Sequence, residues 1–352
     1  MMNEKIINGC GVHLAYKVFS PDKFSKQWSD GFNNRKTNLE NDDAEHLDER
    51  HPPSILLHGL ANTKETWDDC AQGIANGTST LVYSLEARNH GDSGWIDKID
   101  YNNLADDVAC FMDSMGIPTA ILIGHSMGGL TAMNFAFRHP HRLHSIIIED
   151  MSLNSSPAID KWCKDYIIML RKVLHLIPPE KELPEAKIIA AVYLDNRPLE
   201  GKPSEAKKIA SDYLDHRPVV KTEESTYNNA LQPVKWVGRD LALRVNSSGD
   251  GFEWKTNLDV LQNLMESGEF TPCSIQGIEK EMTYEGPVLM IYGTSSPVNV
   301  PSDKEVFLNH FPNAVYEAVE DAEHRVHIGY PETFTRLVCE FILKHRHLKC
   351  NI

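Results

Sequence analysis

Gly124-His125-Ser126-Met127-Gly128 carries a serine between two glycines in the G-x-S-x-G pattern of a nucleophile elbow. The residues around it supply the context the pattern needs. Residues 120–123, Ala-Ile-Leu-Ile, form a short apolar run that reads as a buried parallel strand, and 129–136 reads as a helix that closes at Pro140. A strand-to-helix turn this sharp strains the backbone. Small residues must therefore stand two before and two after the serine, where Gly124 and Gly128 are found. The chemistry on offer is nucleophilic attack by Ser126 on an acyl carbon.

A serine hydroxyl is a weak nucleophile at neutral pH and needs a base that is itself oriented by an acid. In a strand–elbow–helix architecture the chain order is nucleophile, acid, histidine. The base is therefore sought after the last strand, where Asp321-Ala322-Glu323-His324-Arg325-Val326-His327 stands. His324 directly follows that strand and is the candidate base. His327, three residues on, is read as a structural or supporting group. The usual position for the acid, the turn after 288–292, reads Gly293-Thr294-Ser295-Ser296-Pro297-Val298-Asn299-Val300-Pro301, with Ser296 where an aspartate is expected. A neutral hydroxyl cannot stabilise an imidazolium as a carboxylate does. Asp150, at the end of the strand that follows the elbow helix, is the candidate replacement, with a turn-capping role for the segment starting at Ser152 as its bland alternative. Asp259 and Asp303 are further alternatives. The oxyanion donors are assigned to the backbone N–H of Met127, at the start of the elbow helix, and of Leu60, in the His58-Gly59-Leu60 turn. His125 is read as packing at the elbow, and His90, in Ala87-Arg88-Asn89-His90-Gly91-Asp92-Ser93-Gly94, as support for the catalytic edge. Trp67, Trp162 and Met151 are candidates for an acyl pocket or for the ordinary core.

The elements that must hold these groups are legible as alternation. Apolar strand-like runs occur at 14–19, 54–57, 80–84, 120–123, 145–148, 288–292 and 314–319, and helical spacing at 104–115 and 334–343. Strands alternating with helices imply an α/β fold with a mostly parallel, doubly wound sheet. From 151 to 285 the strand rhythm gives way to helical patterns, so residues 1–150 and 286–352 are expected to form the core and 151–285 an inserted helical lid. Within the lid, Glu185-Ala186-Lys187 through Arg197-Pro198 recurs twenty positions later as Glu205-Ala206-Lys207 through Arg217-Pro218. Two copies are too few for a solenoid. Residues 21–53 are polar and acidic and read as a surface insertion, with docking of a protein partner as a second reading.

Composition narrows the function. The chain has 352 residues, 41% hydrophobic and 24% charged, enough for one large domain with an elaboration. A net charge of −15 argues against nucleic acid as a partner. No run of 18 apolar residues occurs, so no membrane span is expected. The first residues read as neither a signal nor a transit peptide, which points to an intracellular protein. Seven cysteines without paired spacing point to free thiols in a reducing compartment, and no Cys/His cluster indicates a metal.

With these residues in hand, the chain resembles the α/β-hydrolases over nearly its whole length. It is most similar to the alpha/beta hydrolase domain-containing protein 11 group and the related YbfF-type esterases. The resemblance rests on His58-Gly59-Leu60, on 87–93, on Gly124 to Gly129, on Glu149-Asp150-Met151-Ser152 and on Trp254-Lys255-Thr256-Asn257-Leu258-Asp259. It implies serine-dependent hydrolysis of esters or thioesters of small acyl or lipid substrates, with Ser126 and His324 in the family's roles and no metal or organic cofactor. It implies a displaced acid as well, matched by both Asp150 and Asp259, between which the choice stays open. A mitochondrial location is implied by its animal members and a cytoplasmic one by this N-terminus. Dehalogenases and epoxide hydrolases of this fold need a carboxylate where Ser126 stands. Acyl transfer to an acceptor other than water uses the same residues. A non-catalytic binding protein on the same fold is the rival from another class, and a monomer or weak associate is expected.

Overall fold

The computed structural model describes residues 3–7, 11–22, 51–153, 157–195, 241–275, 277–279 and 281–347. Ten strands are present among them: β1 (Asn3–Ile7), β2 (His13–Phe19), β3 (Ser54–Leu57), β4 (Val82–Leu85), β5 (Ala120–His125), β6 (Leu143–Glu149), β7 (Leu243–Val245), β8 (Phe252–Trp254), β9 (Val288–Gly293) and β10 (Ala314–Val319). Eight of them form one sheet in the order β1-β2-β4-β3-β5-β6-β9-β10. From β4 to β10 all neighbours are parallel, while β1–β2 and β2–β4 are antiparallel. This is the mostly parallel α/β sheet expected from the alternation of strands and helices.

Alternate residues of the central strands go to opposite faces. Ile55, Leu57, Leu122, Ile146, Ile148, Val288 and Met290 pack into one buried cluster. Leu56, Ile121, Ile123, Ile147, Leu289 and Ile291 pack into the other. Burial on both faces is why these strands read as continuous apolar runs rather than as alternating ones. The helices α1 (Asp68–Thr78) and α9 (Pro331–His345) cover the second face, and α2 (Tyr101–Met115) and α3 (Met127–Arg138) the first. Helix α2 shows how the sequence sets an element. Asp100 caps it by accepting from the Asn103 amide at 2.7 Å, and Gly116 ends it in the left-handed region at φ +65°. Tyr101, Leu104, Ala105, Val108, Phe111 and Met112 form its buried stripe.

Between β6 and β9 the chain adds α4 (Pro157–Leu174), α5 (Leu183–Asp195), the β7–β8 hairpin and α6 (Leu258–Ser267). The hairpin is an addition to the helical patterns that dominate this stretch. Its strands have three residues each, too few for a period-two signal. The turn chemistry between them was nonetheless present in Asn246 to Gly251, where Gly249 sits at φ +75° and the Asn246 amide donates to the Gly251 carbonyl at 3.0 Å. Strand β1 is an addition at the sheet edge that the sequence reading had not assigned. Most of the acidic insertion, the last three residues of the first repeat copy and all of the second lie outside the described residues; the rest of the first copy falls in α5. Among the described residues no helix is long and apolar enough to cross a membrane. The remaining short helices, α7 (Lys304–His310) and α8 (Val326–Gly329), flank β10.

Candidate active site

The site lies at the carboxyl ends of β3, β5, β6 and β9. Strand β3 is flanked by β4 on one side and β5 on the other, and the crevice where strand order reverses is the standing ligand position of open α/β sheets. Ser126 links β5 to α3 with φ +52° and ψ −115°, a conformation that L residues rarely hold. Two glycines make it possible. A Cβ on Gly124 would stand 2.2 Å from the Gly128 carbonyl oxygen, and one on Gly128 would stand 2.1 Å from the Leu57 carbonyl oxygen. The elbow is thus packed backbone on backbone.

His324 follows β10, as its place in the sequence required. Its Nδ1 lies 2.7 Å from Asp150 Oδ2. Asp150 directly follows β6 and is fully buried. Its Oδ1 accepts from the Gly293 amide at 3.0 Å, and its Oδ2 also accepts from the Ser296 hydroxyl. The serine in the usual aspartate position is therefore a donor to the carboxylate that stands one strand away. With Nδ1 held by Asp150, the ring's Nε2 is the nitrogen left to exchange a proton. Asp259 is elsewhere: it pairs with Arg171 and is 80% exposed. Asp303 accepts from Ser152. Neither is brought to His324.

His327 is separated from this pair although only three residues away. It is fully buried, with Nδ1 2.8 Å from Glu149, Nε2 3.0 Å from the Thr66 hydroxyl, and its ring 4.3 Å from Trp67. Trp67 therefore belongs to the core beneath α8 and α9, not to an acyl pocket; its ring packs on His327 and Phe334. His125 lies between the two systems. Its Nε2–H donates to the His324 carbonyl at 2.9 Å. Burial, and then the neighbouring His324 and His327, hold its pKa well below the ordinary value, so the ring is neutral.

The turn after β3 approaches the elbow closely. A Cβ on Gly59 would stand 2.7 Å from His125 Nδ1 and 3.3 Å from Ser126 Cβ, which explains a glycine beside Leu60. Met127 is the first residue of α3, so its N–H has no partner inside the helix. Two buried histidines fix this turn. His58 Nδ1 donates to the Gly59 carbonyl at 2.8 Å, while Nε2 accepts from the Ala87 amide at 3.0 Å. His90 Nδ1 donates to the Arg88 carbonyl at 2.9 Å, while Nε2 accepts from the Ala61 amide at 3.1 Å. Burial, aided by the His90 charge, holds His58 down to about 3, and burial holds His90 down to about 4.

Ser126 and His324 open on one cavity, whose walls are otherwise apolar: Met151, Ile159, Trp162, Pro297 and Val298, with Cys163 and Cys273. Trp162 meets the His324 ring edge-on at 6.1 Å. Sequence reasoning pointed to Trp162 and Met151; it missed Ser296 as a donor, the two cysteines, and the Glu149–His327 pair. These groups meet across more than a hundred residues, and no local spacing signals them.

A buried carboxylate on an imidazole, a strained serine facing the same cavity, and backbone amides at the elbow are the equipment of acyl transfer on this fold. The chain belongs to the alpha/beta hydrolase fold family, whose model matches residues 52–329. Among curated proteins it is similar to a probable alcohol acetyltransferase of Wickerhamomyces anomalus, 28% identical over 303 residues that cover 86% of this chain and 82% of that protein. It is also 27% identical to the sn-1-specific diacylglycerol lipase ABHD11 of Xenopus laevis, covering 83% and 80% of the two chains. Among solved structures, a marine microorganism esterase superposes with a TM-score of 0.61 at 23% identity over 93% of this chain and 98% of that one. The chain is an enzyme of the hydrolase and acyl-transfer kind.

Proposed function

We propose that this enzyme cleaves carboxylic esters or thioesters of small acyl or lipid substrates through an acyl-enzyme on Ser126. His324 Nε2 takes the Ser126 proton as Oγ attacks the carbonyl carbon. The Leu60 and Met127 amides receive the oxyanion, each such donor contributing about 3 kcal/mol to the transition state. Asp150 holds Nδ1–H and stabilises the imidazolium, and Ser296 and Gly293 keep that carboxylate in place. The imidazolium then protonates the leaving group, and a water activated by His324 releases the acid. Residues 151–285 act as the lid over the acyl cavity.

The observation that carries this reading is the Asp150–His324 contact of 2.7 Å on the wall of the cavity that Ser126 enters.

Hydrolysis of p-nitrophenyl esters from acetyl to decanoyl tests the proposal. Ser126→Ala should lower kcat by about 10⁶ and Asp150→Asn by about 10⁴, with folding intact. An active Asp150→Asn would remove Asp150 as the acid. Acyl transfer to an alcohol is the second reading, favoured by the similarity to an alcohol acetyltransferase. Ethanol in the assay separates the two: ethyl ester at the expense of free acid indicates that the acceptor is an alcohol.

A further inference from the structure

Cys163 and Cys273 are 110 residues apart in sequence, yet their sulfurs lie 2.8 Å apart. Both are buried and both line the cavity that holds Ser126 and His324. Sulfurs in a disulfide stand about 2.0 Å apart, so bond formation needs a closure of only about 0.8 Å. The two thiols sit on different elements of the inserted segment. Cys163 is on α4, one residue from the Trp162 that meets His324. Cys273 follows Pro272, whose carbonyl accepts from the Tyr101 hydroxyl of α2 at 2.5 Å. A bond between the sulfurs would therefore fasten a helix of the inserted segment to a turn that a core helix already holds.

We infer that Cys163 and Cys273 form an oxidisable clasp, a dithiol in the working enzyme and a disulfide that locks α4 over the acyl cavity. The consequence for turnover rests on the acyl-transfer reading; the bond itself does not. Hydrogen peroxide is the oxidant. The Cys163 thiolate attacks one peroxide oxygen, the O–O bond breaks, and the released hydroxide takes up the thiol proton to leave as water, giving a sulfenic acid. The Cys273 sulfur then attacks that sulfur, the S–O bond breaks, and a second water leaves with the Cys273 proton. Two thiols and one peroxide thus yield one disulfide and two waters, with two electrons passing from sulfur to oxygen. The Cys273 thiol is held well above its ordinary range by its contact with Cys163 and by burial, so the first attack falls to Cys163.

The test treats the full-length protein with a small excess of peroxide, alkylates the remaining thiols and maps peptides without reduction. A Cys163–Cys273 cross-link should appear, lighter by two hydrogens. Amide exchange over α4 should slow, and turnover of octanoyl esters should fall at least several-fold and return with dithiothreitol. Whatever turnover Cys163→Ser and Cys273→Ser retain should not respond to peroxide. Both thiols alkylating after treatment of the folded protein would overturn the inference, as would a cross-link that leaves α4 exchange unchanged. Fluorophosphonate labelling separates the two proposals: a protein that cross-links and slows at α4, but never labels at Ser126, defeats the acyl-transfer reading alone.

Discussion

Ser296 decides how the acid of this site should be understood. It occupies the turn position where an aspartate is expected, and it donates to the carboxylate of Asp150 instead. A hydrogen bond to a charged group contributes about 1.5–3 kcal/mol. Ser296→Ala should therefore lower kcat by roughly 10- to 100-fold while leaving KM near its original value. Ser296→Asp alone sets a second carboxylate against the first, and like charges at that range disfavour ionisation of both. Its turnover should be poor. The same change in an Asp150→Asn background supplies a single carboxylate from the neighbouring strand, and turnover should recover by at least tenfold over Asp150→Asn. No recovery would mean that the β9 turn cannot reach His324. At this scale chain order was informative: it pointed to Ser126, Asp150 and His324, and the last two stand 2.7 Å apart. It was silent on what supports them, because Ser296 and Asp150 meet across 146 residues, as His125 and His324 do across 199.

The turn after β3 illustrates what an element needs to hold a reactive geometry. His58 and His90 each donate from Nδ1 and accept at Nε2, always with backbone partners. A proton added to either Nε2 would remove an acceptor facing an N–H. Both rings therefore stay neutral well below the ordinary histidine range, at about 3 and about 4. The sign follows directly. Below about pH 6.5 the unfolded chain binds these protons and the native state does not, so stability falls as pH drops from there towards about 4. Each histidine contributes a slope of about 1.4 kcal/mol per pH unit over that window. Urea titrations from pH 7 to pH 4.5 should show this decline, and His90→Gln, whose amide cannot take up a proton in this range, should flatten it. An unchanged slope in that variant would mean that other groups set the acid limit. The sequence marked the neighbouring turn at 87–94, which holds His90, as support for the catalytic edge. It did not reveal the pairing of two histidine rings 5.1 Å apart, since His58 and His90 lie on separate loops.

Over the whole molecule, the inserted segment and the sheet share one core. Ile167 and Leu170 of α4, Ala190 of α5 and Leu261 of α6 lie in the same buried cluster as Leu57, Leu122 and Ile148 of the central strands. Polar ties run alongside. The Asn257 amide donates to the Asn89 carbonyl at 2.8 Å, and Lys255 lies 3.3 Å from Asp92, which also pairs with the fully buried Lys64. Asp92 is held down to about 2, chiefly by Lys64 against the cost of burial, so the tie persists through the neutral range. The sequence separated these regions because strand rhythm stops near 151, and periodicity reports local faces rather than which faces meet. Physically a shared core makes them one cooperative unit. Calorimetry at pH 7.5 should therefore give a single transition whose calorimetric and van't Hoff enthalpies agree. Leu170→Ala should lower that one Tm rather than split it, consistent with a cost of about 2–5 kcal/mol for a buried leucine. Two resolved transitions, with α4 exchanging its amides in the earlier one, would show a lid that unfolds alone. Opening of the site would then proceed by local melting rather than by movement of a packed segment.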